Sequence, residues 1–78
     1  MTLEKLIQLI SDISRVPCEE INGDTLLEEE LGMDSMDMFR LLTECENVMD
    51  AAYDRPAFFE IDNVSRLLAF ICHEEQTQ

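Results

Sequence analysis

Apolar residues recur at helical spacing in three segments of the chain, separated by stretches that are mainly polar. Within each segment they stand three or four positions apart, which is the spacing of one face of an α-helix. The pattern therefore predicts three amphipathic helices that share one core. The predicted apolar faces consist of Leu3, Leu6, Ile7, Ile10 and Ile13; of Met38, Leu41, Leu42, Cys45, Val48 and Met49; and of Val64, Leu67, Leu68, Ile71 and Cys72.

Capping and helix-breaking residues set the ends of the first two predicted helices. Thr2 can cap the first helix, which should end near residue 14. Pro17 stops it there, because the residue before a proline is pushed out of helical conformation. The second helix should begin at Asp34 or Ser35 and end near Met49.

The segments between these helices also carry structural signals. Residues 16–32 form a long predicted loop with a turn at 22–24, anchored by three leucines: Leu26, Leu27 and Leu31. A short helix is predicted at 56–60, because proline suits the first helical position. From it, Phe58, Phe59 and Ile61 are expected to pack onto the core, and Asp62 or Asn63 should cap the last helix. Residues 74–78 are expected to fray.

The composition agrees with an all-α fold in a single domain covering residues 1–78. The chain has 46% apolar residues but only two glycines and two prolines. This apolar fraction is enough for one compact core. Glycine and proline, which are common in the turns between β-strands, are few. The predicted architecture is a four-helix bundle of three longer helices and one short helix, with a long loop between the first two.

The charge balance narrows the range of partners. Eighteen acidic residues against five basic ones give a net charge of −13. Such a surface repels nucleic acid and anionic membrane but attracts a partner with a positive face, although solubility alone also accounts for it. No stretch approaches the ~20 apolar residues of a membrane span. Three widely spaced cysteines fit neither a disulfide framework nor a metal site, and residues 1–10 do not resemble a signal peptide. We therefore expect a monomer in the reducing cytoplasm.

The segment LGMDSMDMF, residues 31–39, places Ser35 at the start of the second predicted helix, where Asp34 and Asp37 can form a capping pair. Ser35 could be an ordinary helix-start residue, a nucleophile or an attachment point. A nucleophile needs a base within reach, and the only histidine, His73, is expected on the surface at the end of the last helix. The segment also lacks the G-x-S-x-G pattern, so hydrolysis is the weakest of the three interpretations.

The neighbouring residues on that helix suggest a docking face. Met36 lies about 160° from Met38 on a helical wheel, so it points away from the core. Arg40, Thr43 and Asn47 share this outward side, and Phe39 borders it. Single exposed apolar residues are common, but these stand beside Ser35, so partner docking is an open alternative.

Residues 31–37, LGMDSMD, resemble the L-G-x-D-S-[LM]-D/x motif of acyl carrier proteins, which bear phosphopantetheine in fatty-acid, polyketide and nonribosomal peptide synthesis. The resemblance extends over nearly the whole chain through its length, acidity and helix layout. It implies a four-helix bundle without catalytic activity of its own. It also implies that Ser35 receives 4′-phosphopantetheine from coenzyme A through a separate transferase, and that the thiol of this arm holds an acyl group as a thioester.

The same resemblance assigns roles to neighbouring residues. Asp34 is the motif acid that helps the phosphopantetheinyl transferase, and Met36 is the apolar residue that touches partner enzymes such as ketosynthases or ligases. The resemblance also implies an acidic recognition surface along the second helix, formed by Asp37, Glu44 and Glu46. The full set expected to face partners is Met36, Asp37, Phe39, Arg40, Thr43, Glu44 and Asn47.

Several residues depart from the usual pattern of fatty-acid carriers. Arg40 is basic where many have an acid, Thr43 replaces a common apolar contact, and residues 53–56 differ from the frequent stretch before the third helix. These departures favour a dedicated carrier for a polyketide or specialised lipid pathway. An aminoacyl or peptidyl carrier is the next interpretation, and an unmodified acidic helical adaptor is the alternative from a different class.

Overall fold

The computed structural model describes the backbone of residues 1–76 and the side chains of residues 1–72. Its helices are α1, Leu3–Ser14; a 3₁₀ helix, Cys18–Glu20; α2, Ser35–Met49; α3, Arg55–Phe59; and α4, Val64–Gln76. The prediction of an all-α fold with three longer helices and one short one is confirmed. The expected surface position of His73 lies outside the residues whose side chains are described. Fraying was expected for residues 74–78; α4 continues to Gln76, and residues 77–78 lie outside the described part of the chain.

The helices pack around a core contributed by every predicted apolar face. Helix α1 contacts both α2 and α4, and α3 packs against α2. The buried residues are Leu6, Leu9, Ile10, Ile21, Leu27, Met33, Met38, Leu41, Leu42, Cys45, Tyr53, Phe58, Val64, Leu67 and Ile71. No helix within the described residues is long and apolar enough to cross a membrane.

Three predicted core residues are instead exposed. Leu3, Val48 and Phe59 each leave about two fifths of their surface open, at 39%, 44% and 41%. Leu3 and Val48 lie near helix ends, where fewer neighbouring helices cover a side chain. Phe59 is the last residue of α3 and projects beyond the contact that buries Phe58. Leu9, absent from the predicted face of α1, is buried.

The connection before α3 is more structured than its sequence indicates. Tyr53 in this connection is buried, and its ring lies 5.8 Å from that of Phe70. Helix α3 begins at Arg55, one residue before the predicted start, so the proline occupies its second position. Burial of the tyrosine ring fixes the path of the chain from α2 to α3.

The long loop is held against the start of α4 by backbone hydrogen bonds. Thr25 O accepts from Val64 N at 3.2 Å, and Gly23 O accepts from Ser65 N at 2.8 Å. Leu27 is fully buried, whereas the other two predicted anchors, Leu26 and Leu31, are half-buried. Asn63 Oδ1 accepts from Arg66 N at 2.8 Å, so asparagine is the side chain that caps α4. The loop that leads into α2 is thus held in place against the start of α4.

Candidate attachment site and recognition face

The chain enters α2 through a short, fixed approach. Gly32 adopts a left-handed conformation with φ of 70°, which suits glycine because it has no Cβ. Its N–H donates to Glu28 O at 3.1 Å, and the N–H of Met33 donates to Leu27 O at 3.2 Å. Met33 is only 2% exposed and therefore anchors the residue that precedes the helix cap.

Sequence reasoning missed the burial of Met33, although the sequence contains a signal for it. Met33 directly precedes the cap residue, and Met38 is the fourth residue of the helix; an apolar pair at these two positions is a hydrophobic staple. Both side chains are buried in the same core cluster. The staple fixes the angle at which the chain enters the helix, and with it the direction of Ser35.

A reciprocal capping box closes the first turn of α2. Asp34 Oδ1 accepts from Asp37 N at 2.9 Å, and Asp37 Oδ2 accepts from Asp34 N at 3.4 Å. Met38 N donates to Asp34 O at 2.9 Å, which completes the turn. The predicted start of α2 and its predicted cap are therefore both confirmed.

Ser35 is the first residue of α2, and its side chain is exposed. Among the described residues its hydroxyl makes no hydrogen bond, and the backbone N–H groups of Ser35 and Met36 have no acceptor. A phosphate ester on this hydroxyl would lie next to free N–H donors at the positive end of the helix dipole. The carboxylates of Asp34 and Asp37 are already engaged by backbone donors, which lessens their repulsion of such an ester.

Six predicted partner-facing residues line one open groove along α2. Met36 is 79% exposed and Phe39 is 44% exposed, so both apolar side chains are accessible. We call this groove the recognition face; it is lined by Met36, Asp37, Phe39, Arg40, Thr43 and Glu44. Asn47, the seventh predicted residue, is exposed one turn further along the helix and does not line the groove.

Glu46 does not join that groove. It is half-buried, and its Oε2 accepts from Tyr53 N at 2.9 Å. This carboxylate therefore ties the connection before α3 to the end of α2, and its place on the acidic recognition surface stays a prediction. The sequence offers no local signal for the contact, because the two residues are seven positions apart.

Arg55 extends the recognition face onto α3. Its guanidinium carbon lies 4.9 Å from the centre of the Phe39 ring, a cation–π distance. The guanidinium covers part of the ring and joins the two helices at the edge of the groove. Sequence reasoning did not find this pair, since nothing in the spacing of the two residues indicates that they meet.

The chain's own buried thiol does not compete with an attached one. Cys45 is fully buried, and burial raises its pKa to about 12, with Glu44 and Glu46 adding to the shift. The thiol is therefore protonated at neutral pH and is a poor nucleophile. Cys45 behaves as a small apolar residue within the core of α2.

The comparisons with known proteins agree with this geometry. A family described as the phosphopantetheine attachment site matches residues 4–71. The chain belongs to this family. The solved structure of a protein assigned as an acyl carrier protein in Mycobacterium tuberculosis has a TM-score of 0.79 to it, with 28% sequence identity. That match covers 91% of this chain and 96% of the other. No curated protein sequence matches.

Family membership defines the general class of activity. The chain is a carrier protein that bears phosphopantetheine and does not itself catalyse a reaction. Carrier proteins meet the enzymes that modify them and the enzymes that handle their acyl groups. The resemblance stated from the sequence is thereby confirmed.

Proposed function

We propose that the chain is an acyl carrier protein in which Ser35 carries 4′-phosphopantetheine. The observation that carries the proposal is an exposed serine whose hydroxyl makes no hydrogen bond among the described residues, at a helix start that the capping box holds rigid. This hydroxyl is accessible to another enzyme and has no competing internal contact. The attached arm supplies a terminal thiol that holds the acyl group as a thioester.

The attachment step needs little from the chain itself. The Ser35 oxygen attacks the β-phosphorus of coenzyme A and forms a phosphodiester, while the pyrophosphate bond breaks and adenosine 3′,5′-bisphosphate leaves. The serine proton would pass to a base of the transferase, and Mg²⁺ bound by that enzyme would stabilise negative charge on the phosphates of coenzyme A. In this step Asp34 keeps the first turn of α2 formed and presents an acid beside the hydroxyl.

Within this class, a dedicated carrier for a polyketide or specialised lipid pathway is the proposal. Arg40 on the recognition face supports it, because a base there weakens docking onto the uniformly basic surfaces that fit uniformly acidic carriers. An aminoacyl or peptidyl carrier is the second candidate. A monomeric state and a cytoplasmic location stay predictions from the sequence.

Intact mass spectrometry tests the attachment. The chain is incubated with a broad-specificity phosphopantetheinyl transferase, Mg²⁺ and coenzyme A. We expect the mass to rise by one phosphopantetheine, and we expect Ser35→Ala to show no rise. If the native chain gains no mass with several transferases, the proposal is wrong and an unmodified adaptor becomes the better interpretation. Ester hydrolysis that disappears in Ser35→Ala would instead support a hydrolase.

A loading series tests the cargo. The phosphopantetheine-bearing chain is offered to purified acyl-activating and amino-acid-activating ligases with their substrates. Acyl thioester formation without aminoacyl thioester formation supports the acyl carrier, and the reverse result supports the second candidate.

A further inference from the structure

Two of the five basic residues of this acidic chain, Arg40 and Arg55, lie at the recognition face or at its edge. Arg40 lines the groove, and Arg55 lies over the ring of Phe39, which forms part of the groove wall. Among the described residues neither guanidinium has a carboxylate oxygen within 4 Å, whereas Arg66 on α4 pairs with Asp62 at 3.8 Å. The two arginines therefore present charge that no carboxylate among the described residues neutralises by direct contact.

The stability of α3 does not explain Arg55. It is the first residue of that helix, where the helix dipole disfavours a positive charge. The contact that holds it is the one with Phe39, which keeps a guanidinium at the edge of a partly exposed ring. A cation in this position remains available to a second protein that covers the ring.

The charges along the groove alternate in sign. Asp37 and Glu44 flank Arg40 at three and four positions along α2, and all three residues line the groove. A partner that covers the groove removes water from these groups. An unpaired buried guanidinium costs free energy, and a basic partner side chain placed against it adds repulsion. A uniformly basic partner is therefore poorly matched to this face.

We propose that the recognition face docks a partner enzyme of mixed charge, which presents a carboxylate to Arg40 and Arg55 and an apolar side chain to Met36 and Phe39. This inference rests on the proposed carrier function, since the partner must reach Ser35. The acidic residues of the groove attract basic residues of the partner. The two arginines require, in addition, an acidic residue in the partner.

A charge reversal tests the requirement. The native chain and the double variant Arg40→Glu/Arg55→Glu are first loaded from an acyl-CoA by a broad-specificity transferase, and loading is verified by mass. Acyl transfer is then measured to a ketosynthase whose carrier-docking surface bears only basic side chains. We expect kcat/KM to rise at least about tenfold in the double variant, which corresponds to about 1.4 kcal/mol.

A matched control separates this effect from net charge. Lys5 and Arg66 are exposed and lie on α1 and α4, away from the groove. Lys5→Glu/Arg66→Glu lowers the net charge by the same amount and should change kcat/KM by less than about threefold, as expected for screened, distant charges. An equal gain in both double variants would overturn the inference, and so would no gain in either.

A reciprocal exchange completes the test. Replacing one docking-surface lysine of the ketosynthase by glutamate should improve transfer from the native chain and weaken transfer from Arg40→Glu/Arg55→Glu.

If the charge-reversed chain folds poorly, judged by its melting temperature, Arg40→Met/Arg55→Met replaces it. This variant removes the charges and keeps the apolar stems, and its gain in kcat/KM should be smaller but in the same direction. If the native chain does not load, the carrier function itself is disproved. If it loads normally but charge reversal does not change kcat/KM for acyl transfer, only the proposal of a mixed-charge partner is disproved.

Discussion

The starts of α2 and α4 are alike in sequence but differ in their contacts. Each follows a short polar cap residue, Asp34 or Asn63, and each has an exposed serine in its first turn, Ser35 or Ser65. At α4 the long loop covers the helix start, because its carbonyl oxygens accept from the first two N–H groups of the helix. At α2 the first two N–H groups have no acceptor among the described residues.

If the proposed attachment at Ser35 holds, the difference means that an exposed serine at a helix start is not sufficient for an attachment site. Ser65 has a backbone N–H already bonded to Gly23 O at 2.8 Å, and the Cβ of Ser65 lies close to that glycine. The loop therefore lies against the backbone of Ser65, and we expect it to hinder a transferase that approaches this serine. Ser35 has no such cover, and the loop approaches it only from the N-terminal side through Gly32 and Met33. We therefore expect the covered start of α4 to contribute to stability and the open start of α2 to accept the modification.

The largest expected effect concerns which serine the transferase modifies with phosphopantetheine. When Ser35→Ala is treated with transferase and coenzyme A, Ser65 should not substitute for it, and loading should be lost completely. Ser65→Ala should load at the native rate. Peptide mass mapping identifies the modified residue. Phosphopantetheine on a peptide containing Ser65 would contradict the comparison, because it would mean that the loop does not protect the start of α4.

The covered start should matter for stability. Thr25 is 5% exposed, and its Oγ1 accepts from Asn22 N at 2.9 Å. Thr25→Val keeps the shape but removes this acceptor, so we expect a loss of about 1–3 kcal/mol in the free energy of unfolding. Thr43→Val is the matched control, since Thr43 is exposed on the recognition face, and it should change stability by less than about 0.5 kcal/mol. Urea unfolding measures both free energies. Equal losses in the two variants would mean that the buried hydrogen bond of the loop does not stabilise the fold.

The two caps should separate stability from loading. Asp34→Ala and Asn63→Ala each remove a side-chain acceptor from a helix start, and each should cost about 1 kcal/mol of unfolding free energy. Only Asp34→Ala should also slow phosphopantetheine transfer, because only that cap positions Ser35. Intact mass spectrometry of samples quenched at successive times measures the rate of phosphopantetheine transfer. Slowing of equal size in both variants would show that general stability, and not the local start of α2, controls loading.

The helices were predictable from the sequence because their signals are local. The apolar spacing in 38–45 and the cap at Asp34 are readable within one or two turns, and the structure shows both. The pattern failed where burial depends on distant neighbours. Val48 has helical spacing yet is 44% exposed, although the next residue, Met49, packs against the core. Tyr53 is buried, with its ring against that of Phe70, seventeen positions away.

The candidate site divides in the same way. The position of Ser35 at a helix start and the outward direction of Met36 follow from helix geometry, whereas the attachment role of Ser35 was implied only by the resemblance to acyl carrier proteins. The hydrogen bonds that cover Ser65 and the contact between Arg55 and Phe39 join segments far apart in the chain. No periodicity records such contacts. The sequence could therefore locate the open helix start but could not show why the other start is closed.

The smallest expected effect on stability concerns the residue after each serine. Met36 is 79% exposed, and Arg66 is exposed with only a surface ion pair, so Met36→Ala and Arg66→Ala should each change the free energy of unfolding by less than about 0.5 kcal/mol. Their effects on loading should differ. Loss of the Met36 side chain removes apolar contact with the transferase, and burial of such a side chain is worth about 1.5–3 kcal/mol when complete. Because docking buries it only in part, we expect KM for the carrier to rise about three- to tenfold in Met36→Ala. Arg66→Ala should load as the native chain does. A large loss of stability in Met36→Ala would place the methionine in the core and contradict its assignment to the recognition face.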